Sequence, residues 1–466
     1  MGEIILDDSF ITYRFAKNLV EHGQFVFNPG ERVLATSTPL FALLLTPFYL
    51  LKLDLFYAAP IINMVFDGLI AYFAYLLIRK IFPHHPLLIL VIFALLFFSD
   101  SRALRSSAAG METSFYICLI LLLLWLALRE SWTWVGIVGG LLFLTRPDGV
   151  VIVAVVFLCH LLQKRKLPLR SAIAFAAVVS PWLIFATIYY GNPVPSGVWA
   201  KLVITQHFND PLIKKLRLIY LPFQDFPFLI GSLLGFAGMV LAGCRSFRER
   251  RWSMAVYPAF FVLYNLSMVL PRGSYNWYWY WAPILMVVYL HAGYLIAELT
   301  HRFKSARVIP AVGLPLLIWY LLFSYLPDET NWLKIRSFNW DAGVEVLSFW
   351  IAENSPADST VMCMTVGLPG YYSNRRVIDP LGIATPELLK NWSAKENYNL
   401  EALRRFHPDY YISYEPLDEQ YREMQNEYTL TARIPMPMSL IIKQETFLYR
   451  KNGLPGPKEK ILNFIP

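Results

Sequence analysis

The sequence predicts a mostly α-helical polytopic membrane protein, a bundle of about ten spans, followed by a C-terminal α/β domain. Three observations predict it. Hydrophobic residues make up 56% of the 466-residue chain and charged residues only 16%, against about 45–50% and about 25% in soluble proteins. The mean hydropathy is +0.44. From about Leu326 the composition becomes polar and no further apolar run is long enough to cross a bilayer. Lipid is the second solvent that accounts for the missing charge.

The organisation reads as three parts. Residues 1–54 form a polar loop with interfacial helices, 55–326 the multi-span domain, and 327–466 the α/β domain. Residues 9–20 have helical spacing after Asp7-Asp8, which suits a helix start. Asn28-Pro29-Gly30-Glu31 reads as a turn. Pro39–Leu51 is apolar but too short to span, and is placed at the interface. Ten spans follow, near 55–78, 86–99, 113–129, 132–146, 149–163, 168–190, 226–244, 253–270, 277–300 and 308–326. In the tail, Ala342–Asn354 and Leu400–Phe406 have helical spacing. Ser359–Met364, Val377–Asp379, Tyr410–Ser413, Thr429–Ile434 and Leu440–Tyr449 read as short strands.

Charge orients the bundle. Five alternate loops carry fourteen basic residues in short connections (Arg79 and Lys80; Arg129; Lys164, Arg165, Lys166 and Arg170; Arg245, Arg248, Arg250 and Arg251; Arg302, Lys304 and Arg307). The intervening loops carry eight, half of them in one long loop. The first set is therefore cytoplasmic, and ten spans put both termini outside. The expected location is the plasma (inner) membrane, with the α/β domain extracytoplasmic. The polar loop follows Met1 so closely that a span upstream of it is expected to be missing from this chain. The net charge of +8 is then orientation rather than nucleic-acid affinity. Cys118, Cys159 and Cys244 lie in apolar runs and Cys363 in a polar segment, which builds no disulfide framework.

Polar residues mark where chemistry could lie. On this topology Asp7, Asp8, Arg14, Glu112, Arg146, Asp148, Lys201, Arg272 and Tyr275 gather on the non-cytoplasmic side. Asp7 and Asp8 are either a helix start or a general base tuned by a neighbouring charge. Glu112 is a helix-terminal acid or a substrate contact. Arg146 and Asp148, in Thr-Arg-Pro-Asp-Gly (145–149), pin a turn or face a substrate. Gly191–Lys201 reads as a stiff loop ending in Trp199 and a cation, Lys201, that either stays solvated or holds a phosphate. Tyr275–Trp281 has six aromatics in seven positions, an interfacial belt or a stacking surface in which Tyr275 and Trp277 touch substrate. Asp67, inside the first span, reads as a hydrogen-bonded buried acid. The sequence holds no G-x-x-x-x-G-K-[ST] or H-E-x-x-H run and no D-x-D carboxylate pair. Nucleotide-driven chemistry has no support.

The run DDSFITYRFAKNLVEHGQFVFNPGERV resembles the first extracytoplasmic loop of GT-C integral-membrane glycosyltransferases, nearest to the terminal arabinofuranosyltransferase subgroup. Gly-Met-Glu-Thr (110–113), Thr-Arg-Pro-Asp-Gly (145–149), Gly-Asn-Pro-Val-Pro (191–195) with Trp-Ala-Lys (199–201), and Gly370–Gly382 continue it in order. The resemblance implies a GT-C-like bundle and inverting transfer of a sugar from a polyprenyl-phosphate carrier to an acceptor hydroxyl, on a glycan, lipid or protein. It implies Asp7, with Asp8 beside it, as base. Lys201, Arg146 or Arg272 would neutralise the departing phosphate, and Glu112, Asp148, Trp199, Tyr275 and Trp277 would contact substrate. Members of this family differ in dependence on a divalent cation, and no metal or other cofactor is assigned. The competing readings are a secondary transporter, which predicts internal repeats that the sequence lacks, and a ligase moving a lipid-linked glycan.

Overall fold

A computed structural model describes residues 5–82, 84–206, 226–249, 252–269, 278–303, 341–391, 397–418, 421–437 and 443–454. The described helices run in chain order α1 Asp7–His22, α2 Pro39–Leu50, α3 Leu55–Ile81, α4 Pro86–Ser99, α5 Ser101–Ala108, α6 Thr113–Leu128, α7 Trp132–Thr145, α8 Val150–Lys164, α9 Leu169–Tyr190, α10 Ser196–Gln206, α11 Phe226–Glu249, α12 Trp252–Val269, α13 Ala282–Phe303, α14 Ala342–Asn354 and α15 Tyr398–Phe406. The chain divides into two compact units. One comprises 1–58, 184–207 and 333–466; the other comprises 59–183 and 208–332.

The second unit is the apolar bundle. Among the described residues, five helices are long and apolar enough to cross a membrane: Leu55–Ile81, Pro147–Lys164, Leu169–Tyr190, Leu229–Glu249 and Ala282–Phe303. The pair α4–α5, bent by 66° at Asp100, makes a sixth. The predicted spans at 113–129 and 132–146 appear as apolar helices of 16 and 14 residues and that at 253–270 as one of 18, and 308–326 lies outside the described residues. Helix α13 is buried over most of its length. Ile173, Met64 and Val240 instead present apolar side chains outward, as lipid-facing positions do. Close helix packing uses small residues. A Cβ on Gly136 of α7 would fall 2.1 Å from the Ser171 carbonyl oxygen of α9, and one on Gly140 would fall 2.7 Å from Val178. The bend at Asp100 has a local cause. Its carboxylate caps α5 through the Arg102 N–H (2.9 Å) and holds the Arg102 guanidinium (2.6 Å) and the Tyr289 hydroxyl (2.7 Å). Asp67 is half-buried and accepts from Ser107 Oγ at 2.6 Å, so it is hydrogen-bonded as expected but not fully buried.

The first unit contains the α/β tail. Its strands are β1 Thr360–Met362, β2 Arg376–Ile378, β3 Tyr410–Ser413, β4 Tyr428–Pro437 and β5 Lys443–Lys451, in the order β2-β1-β3-β5-β4. β1 is parallel to β2 and β3, and β5 is antiparallel to β3 and β4. Successive side chains of a strand face opposite ways, so β3 serves two layers. Tyr410 meets Trp350 of α14, and Tyr411 joins Leu403 of α15 in the other core. Every tail element expected from the sequence is present, with ends shifted by up to a few residues. Cys363 is buried and Cys244 exposed, the reverse of their sequence contexts.

The first unit also takes in α1, which docks on the tail. Arg14 is 1% exposed. Its Nε donates to the Phe27 carbonyl (3.1 Å) and its Nη1 to Asn374 Oδ1 (2.5 Å). Asn28 pairs in both directions with the backbone of Val377, donating at 2.9 Å and accepting at 3.0 Å. The turn at Asn28–Glu31 closes as expected, with Gly30 at φ +85° and the Glu31 N–H on the Asn28 carbonyl (3.0 Å). The stretch read as one stiff loop through Lys201 instead becomes helical at Ser196. Prolines end at Pro195, and nothing from Ser196 to Gln206 breaks a helix.

Candidate functional site

In the first unit three carboxylates from the two ends of the sequence converge. Asp7 opens α1 but does not cap it. Leu6 occupies the cap position without a side-chain bond. The Asp7 N–H, one of the unpaired donors of a helix start, donates to Asp341 Oδ2 at 3.2 Å. The Asp7 carboxylate reaches across to the tail, where Oδ2 accepts the Gly367 N–H (3.0 Å) and Oδ1 the Leu368 N–H (2.8 Å). Burial, then the adjacent Asp341, raise its carboxyl well above the usual range against the pull of those two donors. Asp7 is therefore a buried carboxyl with each oxygen accepting a backbone N–H.

Asp8 differs in each respect. It is half-buried, and no hydrogen-bond donor among the described residues reaches its carboxylate. Burial raises its carboxyl, and the positive charge of Lys201 draws it back toward ionisation. Lys201 projects from α10 and is half-buried. Asp341, buried at the start of α14, is pushed up to about 6 by burial, while the Asp7 N–H lowers it and the Asp8 charge raises it. The Tyr414 hydroxyl donates to Asp341 Oδ1 at 3.4 Å and shares a hydrogen bond with Thr365 at 2.9 Å. Burial lowers the Arg14 guanidinium to about 10.

The second unit holds another polar cluster. Arg146 Nη2 donates to Asp148 Oδ2 (2.7 Å) and its Nε to Asp148 Oδ1 (3.1 Å). Glu112 lies 3.6 Å from Nη1, and the Tyr264 hydroxyl donates to Asp148 at 2.8 Å. The guanidinium lies between the rings of Tyr116 and Tyr280, at 4.9 and 4.5 Å from their centroids. With 3% of its surface exposed, its charge is taken up by two carboxylates and two aromatic faces. Arg146, a sequence candidate for the donor phosphate, is engaged here by Asp148, while its Nη1 has no hydrogen-bond partner among the described residues. Tyr280, one of the aromatic run read as a belt, packs on this cation instead.

The predicted residues thus fall into two groups. Asp7, Asp8, Trp199 and Lys201 lie in one unit, and Glu112, Arg146 and Asp148 in the other. Arg272, Tyr275 and Trp277 lie outside the described residues. Sequence reading missed Asp341, Tyr414 and Tyr264. Asp341 precedes a helix, where an acid is unremarkable, and only the fold brings it to Asp7.

A family described as a domain of unknown function, DUF8728, matches residues 335–451, most of the α/β tail. No curated protein sequence matches the chain. Among solved structures, ArnT from Cupriavidus metallidurans bound to undecaprenyl phosphate is similar at a TM-score of 0.63 with 12% identity, covering 98% of this chain and 96% of that one. The apo state of the same protein gives 0.62 with 11% identity, covering 96% and 94%. The Archaeoglobus fulgidus oligosaccharyltransferase, in complex with Zn and sulfate, gives 0.58 with 13% identity, covering 92% and 68%. The likeness runs along nearly the whole chain and does not single out the terminal arabinofuranosyltransferase subgroup: the chain shares the fold of ArnT and of the archaeal oligosaccharyltransferase.

Proposed function

We propose that the protein transfers a sugar from a polyprenyl-phosphate carrier to an acceptor hydroxyl, with inversion, at the extracytoplasmic face of the inner membrane. The single observation that carries the site is the contrast between adjacent acids. Asp7 has both oxygens held by backbone donors, whereas no described residue donates a hydrogen bond to Asp8, which has a cation, Lys201, acting on it. A general base needs a lone pair for the proton and a raised but tunable pKa. The fold of ArnT and of an oligosaccharyltransferase supports transfer over transport. The fourteen basic residues of the alternate loops support the orientation.

In this reading the acceptor O–H gives its proton to Asp8 as its oxygen bonds to the anomeric carbon. The bond from that carbon to the carrier phosphate breaks, and the electron pair leaves with the phosphate. Inversion places attacking and departing oxygens on opposite sides of the carbon. A cation beside the base therefore serves the base, and Lys201 keeps Asp8 ionised. Of the sequence candidates, Arg146 and Arg272 then remain for the departing phosphate. Asp7 and Asp341 hold the start of α1 in place. The test is transfer by purified protein supplied with polyprenyl-phosphate sugars and membrane-derived acceptor, wild type beside Asp8→Asn. Loss of turnover with folding intact supports the reading, and full activity refutes it.

A further inference from the structure

The first unit contains a cavity of about 340 Å³ that the proposed chemistry does not use. That volume lies at the lower end of ligand pockets, about 300–1,000 Å³. Helix α10 separates it from the acid cluster. Ser196, Trp199 and Val203 recur at helical spacing and line the cavity, whereas Lys201 lies on the other side of the helix by the same periodicity. Trp199 is 47% exposed. The Tyr190 side chain forms another wall, its hydroxyl already donated to the Phe25 carbonyl. Val33, Leu34, Pro386 and Leu389 complete the apolar surface.

Two polar groups enter this apolar lining. Arg32 stacks on Tyr189, its guanidinium carbon 5.0 Å from the ring centroid. Among the described residues no acceptor takes its N–H donors. Asn192 accepts the Val194 N–H through Oδ1 (2.9 Å), and its amide N–H groups have no acceptor among the described residues. Both side chains are exposed at the rim, where water serves their donors and a ligand carrying hydroxyls could replace it. A sugar ring meets both needs, with an apolar face for the aromatic walls and hydroxyls for Arg32 and Asn192. Among the described residues of the lining Arg32 alone is charged, and its charge favours an acidic sugar.

We infer that this cavity is a carbohydrate subsite, formed by Trp199, Tyr190, Arg32 and Asn192, which holds a distal sugar of a glycan acceptor on the far side of α10 from Asp8. The inference rests on the transfer reading for its acceptor, but binding tests it without turnover. The full chain in lipid nanodiscs, free of glycoside detergent, is applied to an array of immobilised short neutral and acidic oligosaccharides. Dodecyl phosphate is tested in parallel. Wild type and Asp8→Asn should bind the same glycans. Trp199→Ala and Arg32→Ala, checked for folding by size exclusion, should bind them about tenfold more weakly. No glycan bound by wild type, equal binding by Trp199→Ala, loss in Asp8→Asn, or binding of dodecyl phosphate alone would each overturn the subsite. Glycan binding together with an active Asp8→Asn would sink the base assignment and leave the subsite standing.

Discussion

The Asp7 carboxylate accepts the Gly367 N–H at 3.0 Å, and a Cβ on Gly367 would fall 2.0 Å from the Asp7 carbonyl oxygen. The first helix and the α/β tail are thus in backbone contact at the residue next to the proposed base. Position 367 has no room for a side chain. Gly367→Ala must displace the start of α1, at about 1–3 kcal/mol for overpacking. We expect a lower melting temperature and loss of transfer together. An unchanged melting temperature would show that this contact does not set the position of α1.

Lys201 should govern the acid limb of the pH–rate profile. A base acts only when ionised, so activity rises with pH through the Asp8 pKa. Burial places that limb above the ordinary carboxylate range, and the Lys201 charge holds it down. Lys201→Met should move the limb to higher pH with the plateau rate largely kept. A limb that does not move would separate Lys201 from the base.

Asp341 gives stability a pH dependence of known sign. Its folded pKa, about 6, exceeds the usual value of 3.8, so folding favours the protonated form. The corresponding stability is present at low pH and is lost as pH rises through about 6. Thermal unfolding between pH 4 and 8 should show this decline (Asp7, raised in the same direction, adds to it). Asp341→Asn, which keeps an acceptor for the Asp7 N–H, should flatten the profile. An equal slope in the variant would remove Asp341 as its source.

Arg146 neutralises Asp148 and Glu112 inside the bundle. Removing it leaves buried Glu112 and largely buried Asp148 without a counter-charge, and breaking such a buried pair costs about 3–5 kcal/mol. Arg146→Met should therefore lower the yield of folded protein. Arg146→Met with Asp148→Asn and Glu112→Gln should recover much of it. A single variant as stable as wild type would show that the cluster contributes little to folding.

Local pattern carried the tail and the apolar helices. Tyr410–Ser413 and Ala342–Asn354 read directly because alternation and helical spacing are local properties. Lys201 was placed in a loop because Pro193 and Pro195 dominate its neighbourhood, although the helix begins immediately after them. Contacts such as Asp7–Asp341 and Tyr280–Arg146 join distant segments with no shared period. They follow from the fold and leave no local signal. The distinction between Asp7 and Asp8 is of the same kind. Two identical side chains in sequence are separated only by the donors that the tail brings to one of them.

The central claim is that Asp8 is the base and that Asp7 holds the start of α1, and kinetics on paired variants test it most directly. Purified Asp8→Asn and Asp7→Asn would be compared with wild type for turnover of polyprenyl-phosphate sugars, with melting temperatures measured on the same samples. Asp8→Asn should lose about 10²–10⁴-fold in turnover at an unchanged melting temperature, whereas Asp7→Asn should lower the melting temperature as it weakens the hydrogen bonds to the tail. An Asp8→Asn enzyme with wild-type turnover would contradict the account.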